Sequence, residues 1–226
     1  MNFFLFPHEF LLSFPVQAQW TWAVLTVVNI RNAKNTLWLV RHGESTWNAA
    51  GLIQGQAHGP VLTVKGRREA TLLPERLGDI RVGLIYTSDL ARARETAVVV
   101  GRALRAPMHI DSNLRERNFG DAEGRPLSEL DPAASGIELD RVVDAHARPP
   151  AGESLRELYE RVQAFITELD ACQPDGDVLV VTHGGVIRVA EAYCNGVGVD
   201  DMTWDPVPNA TIRGVCRPLP SLSVAQ

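Results

Sequence analysis

Two histidines occupy the same sequence context. His42 comes directly after the apolar run Thr36–Val40 and Arg41 and precedes Gly43; His183 closes the run Asp177–Thr182 and precedes Gly184-Gly185. Loops at the carboxyl ends of parallel strands build ligand sites in open α/β sheets, so neighbouring strands would bring both imidazoles to one crevice. Glycine after each histidine leaves backbone N–H groups uncovered, which lets an anion approach the main chain or a helix N-terminus. Arg41 adjoins the first histidine, and Arg92 follows the Thr87-Ser88-Asp89 turn at the start of a helical pattern. Guanidinium forks match phosphate oxygens, and a neutral imidazole nitrogen can attack phosphorus in line. The chemistry these types suit is phosphoryl transfer, which asks for little beyond a nucleophile and donors around the equatorial oxygens. A leaving alkoxide also needs a proton. Glu116, in the loop Leu114–Gly120, is the candidate acid, with Asp121 and Glu123 close behind it as competitors. Glu44 reads as a structural hydrogen-bond partner.

These residues need a sheet flanked by helices, and the chain from Asn35 onward alternates short apolar runs with helical patterns. Strands are expected at Thr36–Val40, Leu84–Tyr86, Met108–Ile110 and Asp177–Thr182, with an edge strand at Thr211–Val215. Helices are expected over Thr63–Leu77, with a kink or early end at Pro74, over Ala91–Leu104, and over about Val186–Tyr193. Ser154-Leu155-Arg156-Glu157 has the capping-box form and opens the clearest helix, with apolar residues at i, i+3, i+4, i+7 spacing to Leu169. Between Leu127 and Pro150 the pattern is irregular.

The string Arg41-His42-Gly43-Glu44-Ser45-Thr46-Trp47-Asn48 resembles the signature of the histidine phosphatase superfamily, which holds cofactor-dependent phosphoglycerate mutases and many phosphomonoesterases. Gln54-Gly55, Leu62-Thr63, Gly66, Thr87–Ala93, Thr96-Ala97, Leu114-Arg115-Glu116, Glu123-Gly124, Gly152-Glu153-Ser154 and Thr182–Arg188 resemble it in family order, from about Thr36 to Val215. The resemblance implies a phosphoglycerate mutase-like, three-layer α/β sandwich with a mostly parallel central sheet. It makes His42 the phosphorylated nucleophile, Arg41, Arg92 and His183 the phosphate pocket, and Glu116 the general acid. Asn48 resembles a further phosphate contact, and Gln54, Gly55 and Gly184 are counted with the substrate-binding positions. Ala122 departs from the many relatives with Trp before Glu-Gly, which hides the character of the leaving-group pocket. The function implied is a metal-independent phosphomonoesterase that hydrolyses a small phosphorylated metabolite through phosphohistidine, with no cofactor. The alternatives are a 2,3-bisphosphoglycerate-dependent phosphoglycerate mutase and a module that binds phosphorylated partners without turnover. The mutase branch carries a longer insertion between the positions of Glu116 and His183, so the short interval here favours hydrolysis.

Composition agrees. The 226 residues are 45% hydrophobic with a net charge of −5, an ordinary globular balance with no cationic block for nucleic acid or an anionic membrane. The expected partner is a small phosphomonoester, and a homodimer is compatible. No carboxylate or Cys/His spacing suggests a metal. Cys172, Cys194 and Cys216 read as reduced core thiols in a cytoplasmic protein, and His58, His109 and His146 as surface or structural residues. Residues 1–34 are apolar with no Lys or Arg before Arg31, and no run reaches the ~18 residues of a spanning helix. Val16-Gln17-Ala18 has the form of a cleavage site, but the charged start of a signal peptide is missing. The segment is read as an extension outside a catalytic domain spanning 35–226.

Overall fold

The computed structural model describes residues 36–138, 141–172 and 176–216. The N-terminal extension and the domain boundary assigned to it lie outside the described residues. The strands are β1 (Thr36–Arg41), β2 (Val82–Thr87), β3 (Met108–Ile110), β4 (Ile137–Glu138), β5 (Arg141–Val142), β6 (Asp177–Thr182) and β7 (Ile212–Cys216). The four long helices are α1 (Val64–Leu77), α2 (Ala91–Leu104), α3 (Leu155–Cys172) and α4 (Gly184–Cys194).

Five strands form the main sheet in the order β3-β2-β6-β1-β7, parallel throughout except for β7, which runs antiparallel to β1 at one edge. Strands buried on both faces read as unbroken apolar runs, and β6 shows why. Val178 and Val180 point into one core with Leu37, Leu39, Leu158, Val162 and Ile166, whereas Leu179 and Val181 point into the other with Val40, Leu73, Ala97 and Val100. Helices α3 and α4 cover the first face, α1 and α2 the second. The register pairs Arg41 with Thr182. The next residue on each strand, His42 and His183, therefore leaves the sheet side by side.

The helix ends follow local chemistry. Glu157 N–H donates to Ser154 Oγ at 3.2 Å and Ser154 N–H to Glu157 Oε2 at 2.9 Å, the reciprocal capping box expected for α3. Pro74 lies inside the last turn of α1, which continues to Leu77. Helix α4 starts two residues earlier than its side-chain pattern suggests, because Gly184 and Gly185 carry no apolar signal yet already have helical backbone. The irregular stretch forms only short pieces, a 3-10 turn at Leu127–Glu129, one helical turn at Pro132–Ser135 and the two-residue hairpin β4-β5. The cysteines correct the sequence reading: Cys172 and Cys216 are exposed and Cys194 half-buried, since they sit at element ends, where the apolar faces have run out. His58, His109 and His146 are exposed, as expected.

One close contact fixes the loop after β1. An added Cβ on Gly66 would stand 2.0 Å from the Glu44 carbonyl oxygen, and one on Gly43 would stand 2.3 Å from the Gly66 carbonyl oxygen. Both obstacles are backbone. Helix propensity alone favours alanine over glycine by up to ~1 kcal/mol, yet Gly66→Ala is expected to destabilise the fold by about 1–3 kcal/mol, as overpacking does. A lowered urea midpoint checks this, and a raised one contradicts the contact.

Candidate active site

His42 and His183 stand at the carboxyl ends of β1 and β6 with ring centroids 5.1 Å apart, and both are buried. His42 Nδ1 lies 2.7 Å from the Gly43 carbonyl oxygen. A carbonyl only accepts, so Nδ1 carries the proton and Nε2 keeps its lone pair. Burial, then Arg92 and then Arg41, hold His42 well below the ordinary imidazole value of 6.5, against the Gly43 carbonyl, which favours the proton. Burial, Arg92 and the His42 ring act the same way on His183. Both rings are neutral at physiological pH.

The cations come from two elements. Arg92, 1% exposed on α2, donates Nη2–H to the Gly55 carbonyl at 2.8 Å and Nη1–H to Ala57 at 3.2 Å. Burial pushes it down to about 10, with Glu116 and Glu123 opposing. Arg41 donates Nη1–H to the Val207 carbonyl and is also lowered by burial. The remaining donors face a different situation. Arg41 Nε, Arg92 Nε and both ring nitrogens of His183 are buried with no hydrogen-bond partner in the protein. An unpaired buried polar group costs on the order of 1–3 kcal/mol, and more when charged. Neutral His183 keeps one N–H, so these atoms offer three donors on three residues around one nucleophile, which suits the several acceptor oxygens of an oxyanion.

Glu116 meets the start of α4. Its carboxylate accepts Gly185 N–H on both oxygens at 3.1 Å, at the start of α4, and Arg117 N–H at 2.9 Å. An added Cβ on Gly185 would reach 2.2 Å from Glu116 Oε1, so the second glycine of the His-Gly-Gly string makes room for the acid. Glu123, the competing acid, is engaged elsewhere, since its Oε1 accepts Gln56 N–H and Phe119 N–H and sits where a Gly55 side chain would be. The structure thus unites Arg41, His42, Arg92, Glu116, His183 and Gly184. Gly55 contributes its carbonyl to Arg92. Asn48 and Gln54 are held through their amide oxygens, Ser45 Oγ donating to Gln54 Oε1 at 2.6 Å while Ser45 N–H and Asn209 Nδ2–H donate to Asn48 Oδ1 at 3.1 Å. Glu44 accepts from Thr63 and Lys65, a structural role as expected.

Several supports escaped the sequence reading. Asn209 Nδ2 also reaches the His42 carbonyl oxygen at 3.1 Å. Gln56 Nε2–H and Arg161 Nη2–H both donate to the Glu116 carbonyl. Arg117 is wholly buried and donates to the carbonyls of Ser135, Ala147 and Glu153, which ties the short pieces of the 131–150 stretch to the Glu116 loop. Among the described residues no group of three or more His, Cys, Asp or Glu could hold a metal ion.

Comparison with known proteins gives the family. The model of the histidine phosphatase superfamily (branch 1) matches residues 37–217. The chain belongs to this superfamily and is a phosphatase-type enzyme. It is 36% identical over 166 residues to a metal-independent phosphoserine phosphatase of Arabidopsis thaliana, covering 71% of this chain and 69% of that protein. It is 41% identical over 152 residues to a probable phosphoglycerate mutase GpmB of Yersinia pestis (strain Pestoides F), covering 66% and 69%. Among solved structures, a mycobacterial glucosyl-3-phosphoglycerate phosphatase complexed with VO3 aligns with TM-score 0.69 and 31% identity, over 80% of this chain and 92% of that one. Bacillus stearothermophilus YhfR aligns with TM-score 0.68 and 33% identity, over 78% and 88%.

The neutral imidazoles tie stability to pH. Below the ordinary value of 6.5 the unfolded chain takes up protons that folded His42 and His183 refuse, so stability falls as pH is lowered through that window. Each histidine contributes a limiting slope of about 1.4 kcal/mol per pH unit. Urea unfolding at pH 7.5 and 5.5 should show the loss, and His183→Asn should flatten the dependence.

Proposed function

We propose that the chain hydrolyses small phosphomonoesters through a phosphohistidine on His42. The observation that carries the reading is the set of buried, unpartnered donors on Arg41, Arg92 and His183 around an imidazole whose Nε2 is left unprotonated. The ester phosphate takes the place those donors frame, its charge held by Arg41 and Arg92. The Nε2 lone pair forms the N–P bond, the ester P–O bond breaks with its electron pair going to the leaving oxygen, and Glu116 gives that oxygen a proton. A water then attacks phosphorus and loses a proton to the Glu116 carboxylate. The N–P bond breaks, its pair returns to Nε2, and inorganic phosphate leaves.

The relatives named for phosphoserine, phosphoglycerate and glucosyl-3-phosphoglycerate share one chemistry, a phosphate ester on a small hydroxy acid. The likeness to a probable mutase favours a second reading, in which the phosphoryl group returns to substrate. Such an enzyme must exclude water while phosphohistidine waits. Here the segment between the Glu116 loop and α3 is held by Arg117 beside that loop and, among the described residues, offers short pieces as a cover, which supports hydrolysis. No described helix is long and apolar enough to cross a membrane, and the absence of a disulfide among the described residues is consistent with a reducing cytoplasm.

Quenching a brief reaction with labelled substrate should leave acid-labile, base-stable phosphate on His42, and undiminished labelling of His42→Ala would remove the nucleophile from this role. Glu116→Gln is expected to slow alkyl phosphates by about 100-fold or more, the usual worth of a general acid, while aryl phosphates, whose leaving groups need less help, lose far less. Equal losses on both would shift the proton to another group.

A further inference from the structure

One amide nitrogen joins the backbone of the nucleophile to a second amide. Asn209 Nδ2 lies 3.1 Å from the His42 carbonyl oxygen and 3.1 Å from Asn48 Oδ1. A carbonyl oxygen only accepts, so the limb of Asn209 facing the two is its NH2, and each of the two hydrogens has an oxygen to itself. The turn that carries Asn209 is strained toward the same point. Ala210 sits at φ 52°, in the left-handed region that alanine avoids, and from there donates its N–H to the His42 carbonyl at 3.2 Å. The Ala210 carbonyl accepts Arg76 Nη1–H at 2.7 Å, and the Val207 carbonyl in the same segment accepts from Arg41. Strain of this kind persists only where the surroundings over-determine it.

The consequence falls on Asn48. Its amide oxygen accepts Ser45 N–H as well as Asn209 Nδ2–H, which leaves the amide one orientation, with its NH2 turned away from both donors. Asn48 is tied to the site from two directions. Asn209 links it to the His42 carbonyl, while Ser45, whose hydroxyl donates to Gln54 Oε1, links it to the Gln54-Gly55 turn, where the Gly55 carbonyl holds Arg92. Asn48 is half-buried, and among the described residues its Nδ2 has no hydrogen-bond acceptor. A neutral donor fixed between a nucleophile and a cation, with both hydrogens unused, suits the oxyanion that those two groups serve.

We infer that Asn209 is a positioning residue for phosphoryl transfer, locking the Asn48 amide so that its NH2 donates to the transferring phosphoryl group. The inference rests on the phosphohistidine reading. The His42 carbonyl is the fixed end of the lock, so the orientation of Asn48 is set relative to the nucleophile itself. Without Asn209 the Asn48 amide keeps one of its two donors and is free to turn its oxygen toward the phosphate, which it then repels.

The test is a double-mutant cycle on the full chain, read by calorimetric binding of orthovanadate, whose oxygens stand in for those of the phosphoryl group. Asn209→Ala and Asn48→Ala should each weaken vanadate by about 10- to 100-fold, the usual worth of a hydrogen bond to a charged group. In the Asn48→Ala background the further change at Asn209 should cost less than about 2-fold, since the amide it orients is gone. A role confined to the fold would weaken both backgrounds alike. That outcome overturns the inference, as does full affinity in either single variant. Asn209→Ser, which keeps one donor, goes through the same cycle if the alanine variant does not fold, and the same outcomes decide. Turnover of p-nitrophenyl phosphate by the unaltered enzyme reports separately on the phosphatase reading: its absence with the coupling intact would defeat that reading alone.

Discussion

Two guanidiniums are taken out of water next to two imidazoles, and much of the structure is arranged around that cost. Arg41 and Arg92 repel one another and depress both histidines. Buried charge of one sign is tolerated only where carbonyls and carboxylates surround it. Gly55, Ala57 and Val207 turn carbonyls toward the two arginines, and Glu116 supplies the opposite charge. The site keeps hydrogen-bonding capacity unused, which suits the proposed phosphate without reorganisation of the protein.

Positioning rests on the sheet register. Because β1 and β6 are parallel neighbours with Arg41 opposite Thr182, a slip of one residue would turn each imidazole to the wrong face. Backbone packing then closes the arrangement: Gly43 meets Gly66, and Gly43 N–H donates to Thr96 Oγ1, whose hydroxyl donates to the Arg92 carbonyl. The nucleophile loop, the start of α1 and the arginine-bearing helix are one interlocked unit.

What could be read from the sequence follows from how local each signal is. The two histidines announce themselves because an apolar strand and a glycine flank each of them, and α3 because its capping box and its 3.6-residue period lie within a few residues. Arg92 was legible through its place after the Thr87-Ser88-Asp89 turn and through family likeness. Arg117, Arg161, Gln56 and Asn209 were not, since they mostly bond backbone carbonyls of distant loops, and a carbonyl has no residue identity to betray it. The same blindness hid the role of Glu123, which a carboxylate inventory cannot separate from Glu116. The cysteines were misread for the opposite reason: a general tendency of thiols to be buried was applied to residues whose exposure depends on where each element stops.

The partner of His42 Nδ1 has a consequence for the energy of the intermediate. In a serine hydrolase triad a carboxylate faces the far nitrogen of the histidine and stabilises the imidazolium. Here the far nitrogen faces the neutral carbonyl of the very next residue, with two guanidiniums close by. On the proposed route the phosphorylated ring carries a positive charge beside two guanidiniums, opposed by the phosphoryl oxygens and by the carboxylate of Glu116 after its proton has left. The phosphorylated enzyme is therefore a poor store and a good donor. On that route it discharges readily to the first acceptor that reaches it, and access sets which acceptor that is.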